Sequence, residues 1–233
     1  MVRGNTPTSG DTITAVPPMN KATLTMYINC YIVITSTSNN VVAKRRATRG
    51  VAYEMDFTTI GSMAETELYF CSAGMITGLS GLAHLYFKQN NFNDASNLQR
   101  LEIGSNVSKE ENGHTYKYEN PNLVTLAIGG NNKMLEYLDV RNCPNVTGAL
   151  DLSNCVSLQE LYLDNTGFTG ISIAPGGLLT TMSLQAPTSI TLCNLLYLTD
   201  ITITSINNLT TLRIENCEFD DEAELTIAGT TTV

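Results

Sequence analysis

Tryptophan is absent from this chain of 233 residues, histidine occurs twice, and only 15% of residues are charged. A soluble domain normally carries roughly a quarter charged residues. Here Asn and Thr take their place, which points to a β-rich surface covered by hydroxyls and amides rather than to charged helices. Positive charge is also scarce: the formal net charge is −9. That argues against general nucleic-acid binding, which needs a basic field, and against attraction to an anionic membrane. No apolar run reaches the roughly 18–20 residues that span a bilayer. YINCYIVI at 27–34 is too short and too polar for that, and reads as a core strand. The opening segment, MVRGNTPTSGDTITAVPPMN, lacks the apolar stretch of a secretory signal. The sequons at Asn106, Asn145 and Asn208 therefore read as accidents of an Asn/Thr-rich chain.

Chemistry-bearing residues are equally sparse. The six cysteines, Cys30, Cys71, Cys143, Cys155, Cys193 and Cys217, include no CxxC pair, so neither a disulfide framework nor a zinc site is expected. Reduced, buried, structural thiols are the expectation, in keeping with cytosolic synthesis. His84 falls on a strand face in LAHLYF and reads as a surface residue. His114 lies in KEENGHTYKYEN (109–120), a polar insertion that reads as a protruding loop. No GxSxG, P-loop, GxGxxG or HExxH occurs in a supporting context. The chain is read as a non-enzyme with no catalytic, cofactor-binding or metal-ligating residues and no cofactor.

What the sequence does contain is a repeat. LQELYLDNTGF at 158–168 is apolar at positions 1, 4, 6 and 11, with Thr166 at position 9. The same spacing recurs in LAHLYFKQNNF (82–92), LQRLEIGSN (98–106), LVTLAIGGN (123–131), LEYLDVRNC (135–143) and LTTLRIENCEF (209–219). Weaker copies are LYFCSAGM (68–75), LTTMSL (179–184) and LTDITI (198–203). Positions 4 and 6 point inward from a short strand and position 5 points outward. Position 9, with Asn90, Asn106, Asn131, Cys143, Thr166 and Cys217, turns the chain and bonds backbone groups left open there.

Apolar pairs at Leu150/Leu152, Ile171/Ile173, Ile190/Leu192 and Leu225/Ile227 lie between or beyond the strong copies. Merged, the pair starts run 138, 150, 161, 171, 182, 190, 201 and 212. A full coil is thus about 19–23 residues with one short strand on each of two flanks, leaving little room for helix. Glycines and prolines, such as Pro144, Gly148 and Pro187, punctuate the returns. Spacings of only 16–17 residues between strand starts at 68, 85 and 101 suggest an irregular array.

The spacing LxxLxLxx(N/C)xL resembles the leucine-rich repeat over roughly residues 64–228. The expected fold is a β-rich leucine-rich-repeat solenoid, with short parallel strands on two flanks, little helix and an N-terminal antiparallel β cap. The stretch LYLDNTGFTGISIAPGGLLTTMSLQAPTSITLCNLLYLTDITITSINNLTTLRIENC also resembles repeat regions in virion proteins of tailed phages of gut Bacteroidetes, the crAss-like group. That resemblance implies a structural subunit of a capsid or tail assembly and supplies no catalytic residues.

Residues 1–20 are expected to form an extended arm, 21–60 the cap, 61–228 the solenoid and 229–233 a tail. In the cap, Leu24, Met26, Ile28, Cys30, Ile32 and Ile34 share one face, and Val51, Tyr53, Met55 and Phe57 alternate likewise. After Ile227 the sequence AGTTTV is no recognisable cap. Glu218 to Glu224 terminate the array, another chain covers it, or the sequence is cut from something longer.

Position 5 supplies the candidate interaction face: Tyr69, Tyr86, Glu102, Asp139, Tyr162 and Arg213, with Ala127, Ser183 and Thr202 between them. The tyrosines are the best anchors. Lys44, Arg45, Arg46 and Arg49 form a basic group, read as a solvated hairpin edge or, more sharply, as a docking patch for an acidic surface such as the end of a neighbouring copy. Glu215, Glu218, Asp220, Asp221, Glu222 and Glu224 fall within ten residues without EF-hand order, and read as a solvated face rather than a calcium site.

Three function classes follow. The first is a non-enzymatic structural and protein–protein interaction scaffold, made in the bacterial cytoplasm and built into a virion, with other protein subunits, possible copies of itself, as partners. The second is a bacterial cell-surface or secreted recognition module for a protein or glycan. The third, a β-solenoid hydrolase, needs clustered carboxylates, which Asp139 (outward strand residue) and Asp164 (turn) do not provide. No nucleic acid, membrane insertion or small-molecule substrate is expected.

Overall fold

The computed structural model describes residues 2–5, 21–36, 41–56, 67–71, 75–81, 89–105, 108–111, 114–185 and 187–229. Their strands run β1 (Val2–Asn5), β2 (Lys21–Met26), β3 (Cys30–Ser36), β4 (Val41–Ala47), β5 (Ala52–Asp56), β6 (Glu67–Cys71) and β7 (Ile76–Ser80). Then come β8 (Gln89–Asn91), β9 (Arg100–Glu102), β10 (Ser108–Glu111), β11 (His114–Lys117), β12 (Thr125–Ala127), β13 (Tyr137–Asp139) and β14 (Cys143–Leu152). The last seven are β15 (Glu160–Leu163), β16 (Thr166–Ile173), β17 (Thr181–Gln185), β18 (Ser189–Cys193), β19 (Leu198–Thr204), β20 (Thr211–Glu215) and β21 (Phe219–Ala228). Among the described residues there is no α-helix; a 3-10 turn spans Ile206–Asn208.

The chain is a parallel β-solenoid of about 6 turns. One flank is a nine-stranded sheet ordered β21-β19-β17-β15-β13-β9-β7-β2-β5. The other is built from a six-stranded sheet, β12-β8-β1-β6-β3-β4, followed by a four-stranded one, β14-β16-β18-β20. The two meet where Gly129 (φ +102) runs so close to the Asp151 carbonyl that a Cβ would lie 2.1 Å from it, so only glycine fits there.

Alternation puts every second side chain of each strand into the core. On the nine-stranded flank one inward row is Leu79, Leu101, Leu138, Leu161, Met182, Ile201 and Leu225, each opposite the next in register. On the other flank Leu150, Ile171, Ile190 and Leu212 stack likewise. Following the chain, inward positions alternate between flanks in steps of about 8 to 13 residues, which is why one short strand per flank is all that fits. The exception is the passage from Leu101 to Leu126, enlarged by the polar β10–β11 hairpin at the expected insertion.

Polar side chains finish each coil in repeating ways. Thr180, Thr199, Thr188 and Thr210 each donate through Oγ1 to a carbonyl one coil back. Asn142, Asn165, Asn194 and Asn216 turn the chain in the left-handed region, which asparagine tolerates better than other side chains with a Cβ. Their amides form ladders, Asn165 to Asn142 at 3.1 Å and Asn216 to Asn194 at 3.3 Å. In the copies at 135–143, 158–168 and 209–219 the left-handed residue is at position 8, not 9. Position 9 bonds back instead: Thr166 Oγ1 donates to the Leu163 carbonyl at 2.8 Å, and the Cys143 and Cys217 thiols donate to the Arg141 and Glu215 carbonyls.

Several expectations need correction. The copies at 123–131 and 209–219 lie on the opposite flank from those at 98–106, 135–143 and 158–168, because the motif encodes a strand and its turn, not a particular side. Residues 68–71 do not begin the stack. They lie in β6, antiparallel to β1 and β3, and β7 is the strand that aligns with β9. Residues 23–35 are not one strand: the chain bends at 27–29, sending β2 to one flank and β3 to the other and leaving Ile28 exposed rather than inward. Val2–Asn5, expected in an arm, forms a strand between β6 and β8. Asn90 sits inside β8, buried, where a turn residue was expected; at 123–131, Asn132 rather than Asn131 is the buried turn asparagine.

Candidate functional site

The outward face of the nine-stranded sheet collects most of the candidate side chains. Register aligns Glu102, Asp139, Tyr162, Ser183, Thr202 and Thr226 in one row, all at position 5 or its equivalent. A second row, two residues earlier, aligns Arg100, Tyr137, Glu160, Thr181, Asp200 and Glu224. This second row went unread in the sequence, although the alternation that turns position 5 outward turns position 3 outward as well.

The two rows interlock at their centre. The Arg100 guanidinium stacks 3.5 Å from the Tyr137 ring centroid, and that of Arg141 lies 4.4 Å from Tyr162. The two tyrosine rings are 5.6 Å apart and tilted. Arg141 donates to Asp139 through Nε and through Nη2, the latter at 2.5 Å, and its backbone N–H bonds the same carboxylate. Tyr162 donates to Glu160 at 2.8 Å, and Tyr137 to Asp139 at 3.3 Å. Ser183 donates to Asp164 beside this cluster. Each polar head is therefore already engaged by a neighbour, which fixes the aromatic rings in place.

The electrostatics follow from crowding. Burial, then the Asp139 charge, pushes the Tyr137 hydroxyl up to about 12. Burial and the hydrogen bond to Glu160 bring Tyr162 to about 12. Burial and the Asp139 carboxylate raise Glu102 above the usual range. For Arg141 burial works against the charge, but the hydrogen bonds and charge of Asp139 outweigh it and raise the guanidinium's pKa. Both phenols thus stay protonated hydrogen-bond donors at neutral pH. Among the described residues no three His, Cys, Asp or Glu side chains come together as a metal site.

Of the remaining candidates, Asp139 must be withdrawn as a contact residue: it is 0% exposed beneath Arg141 and Tyr137. Arg213 belongs to β20 on the other flank, paired with Glu215 at 2.6 Å, so it does not share a face with Tyr162. Ala127, in β12, is on that other flank too. Tyr69 lies in β6, also on that flank, and Tyr86 and His84 fall outside the described residues. Arg45, Arg46 and Arg49 are exposed at the start of the solenoid, and Lys44 shares β4 with the first two. The acidic residues from Glu215 to Glu224 are exposed at its opposite end.

No family model, curated protein or solved structure matches the chain.

Proposed function

We propose that this chain is a non-enzymatic assembly scaffold, a leucine-rich-repeat solenoid with strands β2–β5 as its N-terminal cap, built into a phage virion as a capsid or tail component. The observation that carries the scaffold reading is the last coil. Leu212, Phe219, Leu225 and Ile227 are 39, 37, 43 and 39% exposed. One coil earlier, Ile190, Ile201 and Ile203 are fully buried. Apolar side chains left at the surface of one end in this way suit a protein–protein contact. The virion placement rests on the sequence resemblance.

A second reading, a cell-surface recognition module, is favoured by the fixed Arg100–Tyr137–Tyr162–Arg141 platform, since aromatic and arginine side chains concentrate binding energy at interfaces. One fractionation separates the two. Gradient-purified virions from a producing culture are expected to contain peptides of this chain in fixed ratio to the capsid protein. Recovery only from the bacterial envelope or medium overturns the virion reading in favour of the recognition module.

A further inference from the structure

We propose that the last coil docks on the basic first end of a second copy of this chain, so that molecules stack head to tail along the solenoid axis. The inference rests on the scaffold reading and names its partner.

Among the described residues both flanks finish at the same two places. At the first end the outermost strands are β4 on one flank and β5 on the other, held together by Arg45 donating to the Glu54 carbonyl at 3.2 Å. At the far end they are β20 and β21. Among the described residues, β20 pairs only with β18 and β21 only with β19. An outermost strand of this kind carries a row of backbone donors and acceptors ready for another strand. Two outermost strands therefore face two when one molecule follows another, at the ~4.8 Å strand spacing that the coils already use.

The charges of the two ends are opposite. Residues 41–56 carry Lys44, Arg45, Arg46 and Arg49 against Glu54 and Asp56. Residues 211–229 carry Glu215, Glu218, Asp220, Asp221, Glu222 and Glu224 against Arg213, which Glu215 already engages. On a chain of net charge −9, side-by-side association brings like charges together. First end to last end is the arrangement in which they complement. The guanidiniums are held at that surface by ring stacking, Arg45 over Tyr53 at 4.7 Å and Arg49 over Tyr27 at 5.4 Å.

Apolar surface is present on both sides as well. Leu212, Phe219, Leu225 and Ile227 lie at the last coil, and Tyr27, Ile28 and Val51 are exposed at the first-end corner. There Asn29 accepts from the Arg49 N–H at 2.8 Å and locks the two bends together. Such a contact is heterologous: each molecule uses a different surface on either side, so the product is an open stack or a closed ring.

The test is sedimentation velocity of the purified full chain over a concentration series, with negative-stain imaging of the larger species. Expected are concentration-dependent oligomers elongated along one axis or closed into rings, shrinking as salt is raised. Reversing one end, by R45E/R46E/R49E or by D220K/D221K/E222K, is expected to abolish self-association. Mixing the two variants, one acidic at both ends and the other basic at both, is expected to restore it. Circular dichroism establishes that each variant is folded. A monomer at every concentration overturns the second copy as occupant while leaving the scaffold reading to its own fractionation test. Oligomers that ignore both charge reversals, or variants that do not rescue each other, overturn the end-to-end geometry.

Discussion

The coil holding Ile201 and Ile203 and the coil holding Leu225 and Ile227 are built alike. They pair in parallel register, both rows point inward, and the side chains are of one kind. The first pair is 0% exposed and the second 43 and 39%. Sequence pattern therefore fixes which way a side chain points, but burial is conferred by the next coil. A solenoid repeat completes its neighbour rather than itself.

The largest effect expected from this contrast is a paired substitution. Leu161→Asp places an unpaired carboxylate at a fully buried position between Leu138 and Met182, and is expected to destabilise by several kcal/mol, about 3–5. Leu225→Asp, in the same inward row, is expected to cost under about 1 kcal/mol in the monomer, because water reaches it. Denaturant melts of both at low protein concentration compare them directly. Equal losses break the contrast, and an unchanged Leu161→Asp sinks the repeat assignment itself.

Next in size is Asn132, fully buried where the coil turns after β12. Its Nδ2 donates to the carbonyls of Phe92 (2.9 Å) and Ala95 (3.0 Å), and its Oδ1 accepts from the Gly129 N–H at 2.9 Å. Asn132→Leu leaves the Gly129 N–H without a partner, at a penalty of roughly 1–3 kcal/mol for a buried unsatisfied group. It also takes one of two hydrogen bonds from the Phe92 and Ala95 carbonyls, which keep the N–H groups of Ala95 and Leu98. A total loss of about 3 kcal/mol in the same melts is expected; less than about 1 kcal/mol means that water takes the amide's place.

Asn90 is the opposite case. Its side chain is buried and the Nδ2 has no hydrogen-bond partner. Replacing it with Leu removes an unmet donor from an inward slot and is expected to stabilise by about 1 kcal/mol. A destabilised Asn90→Leu protein indicates that this slot is too small for the added methyl groups.

These two asparagines also mark what could be read from sequence. Leu161, Leu163, Leu184 and Ile203 were legible because alternation and the length of a short strand leave one inward choice. The platform was half legible: position 5 identified Tyr162, while Arg100, Tyr137 and Glu160 obey the same alternation two residues earlier. Burial of Asp139 was not legible, since it depends on Arg141 folding back over its neighbour. Nor was the role of each asparagine, because two consecutive ones (Asn90 and Asn91 before Phe92, or Asn131 and Asn132 after Gly130) differ only in backbone dihedral and depth. The first strands were misassigned for a related reason: a 13-residue alternating run does not announce the bend at 27–29 that moves it between flanks.

The smallest expected effects concern the ladder. Asn165 and Asn216 adopt nearly the same left-handed conformation, φ 54 and 50, one inside the array and one in its last coil. Asn165 also receives support on both sides, its amide donating to Asn142 and its backbone N–H to Gln185 at 3.1 Å. Alanine at either position meets the left-handed penalty of about 1 kcal/mol, whereas glycine does not. Asn165→Ala is expected to lose about 1–2 kcal/mol, and Asn165→Gly to recover roughly half, the remainder being the rung itself. Asn216→Ala is expected to lose about 1 kcal/mol, and Asn216→Gly to return close to the parent, since its rung is longer and, among the described residues, its backbone N–H has no counterpart to the Gln185 bond. If glycine restores both positions equally, the rungs contribute nothing and the asparagines are there for their backbone conformation alone.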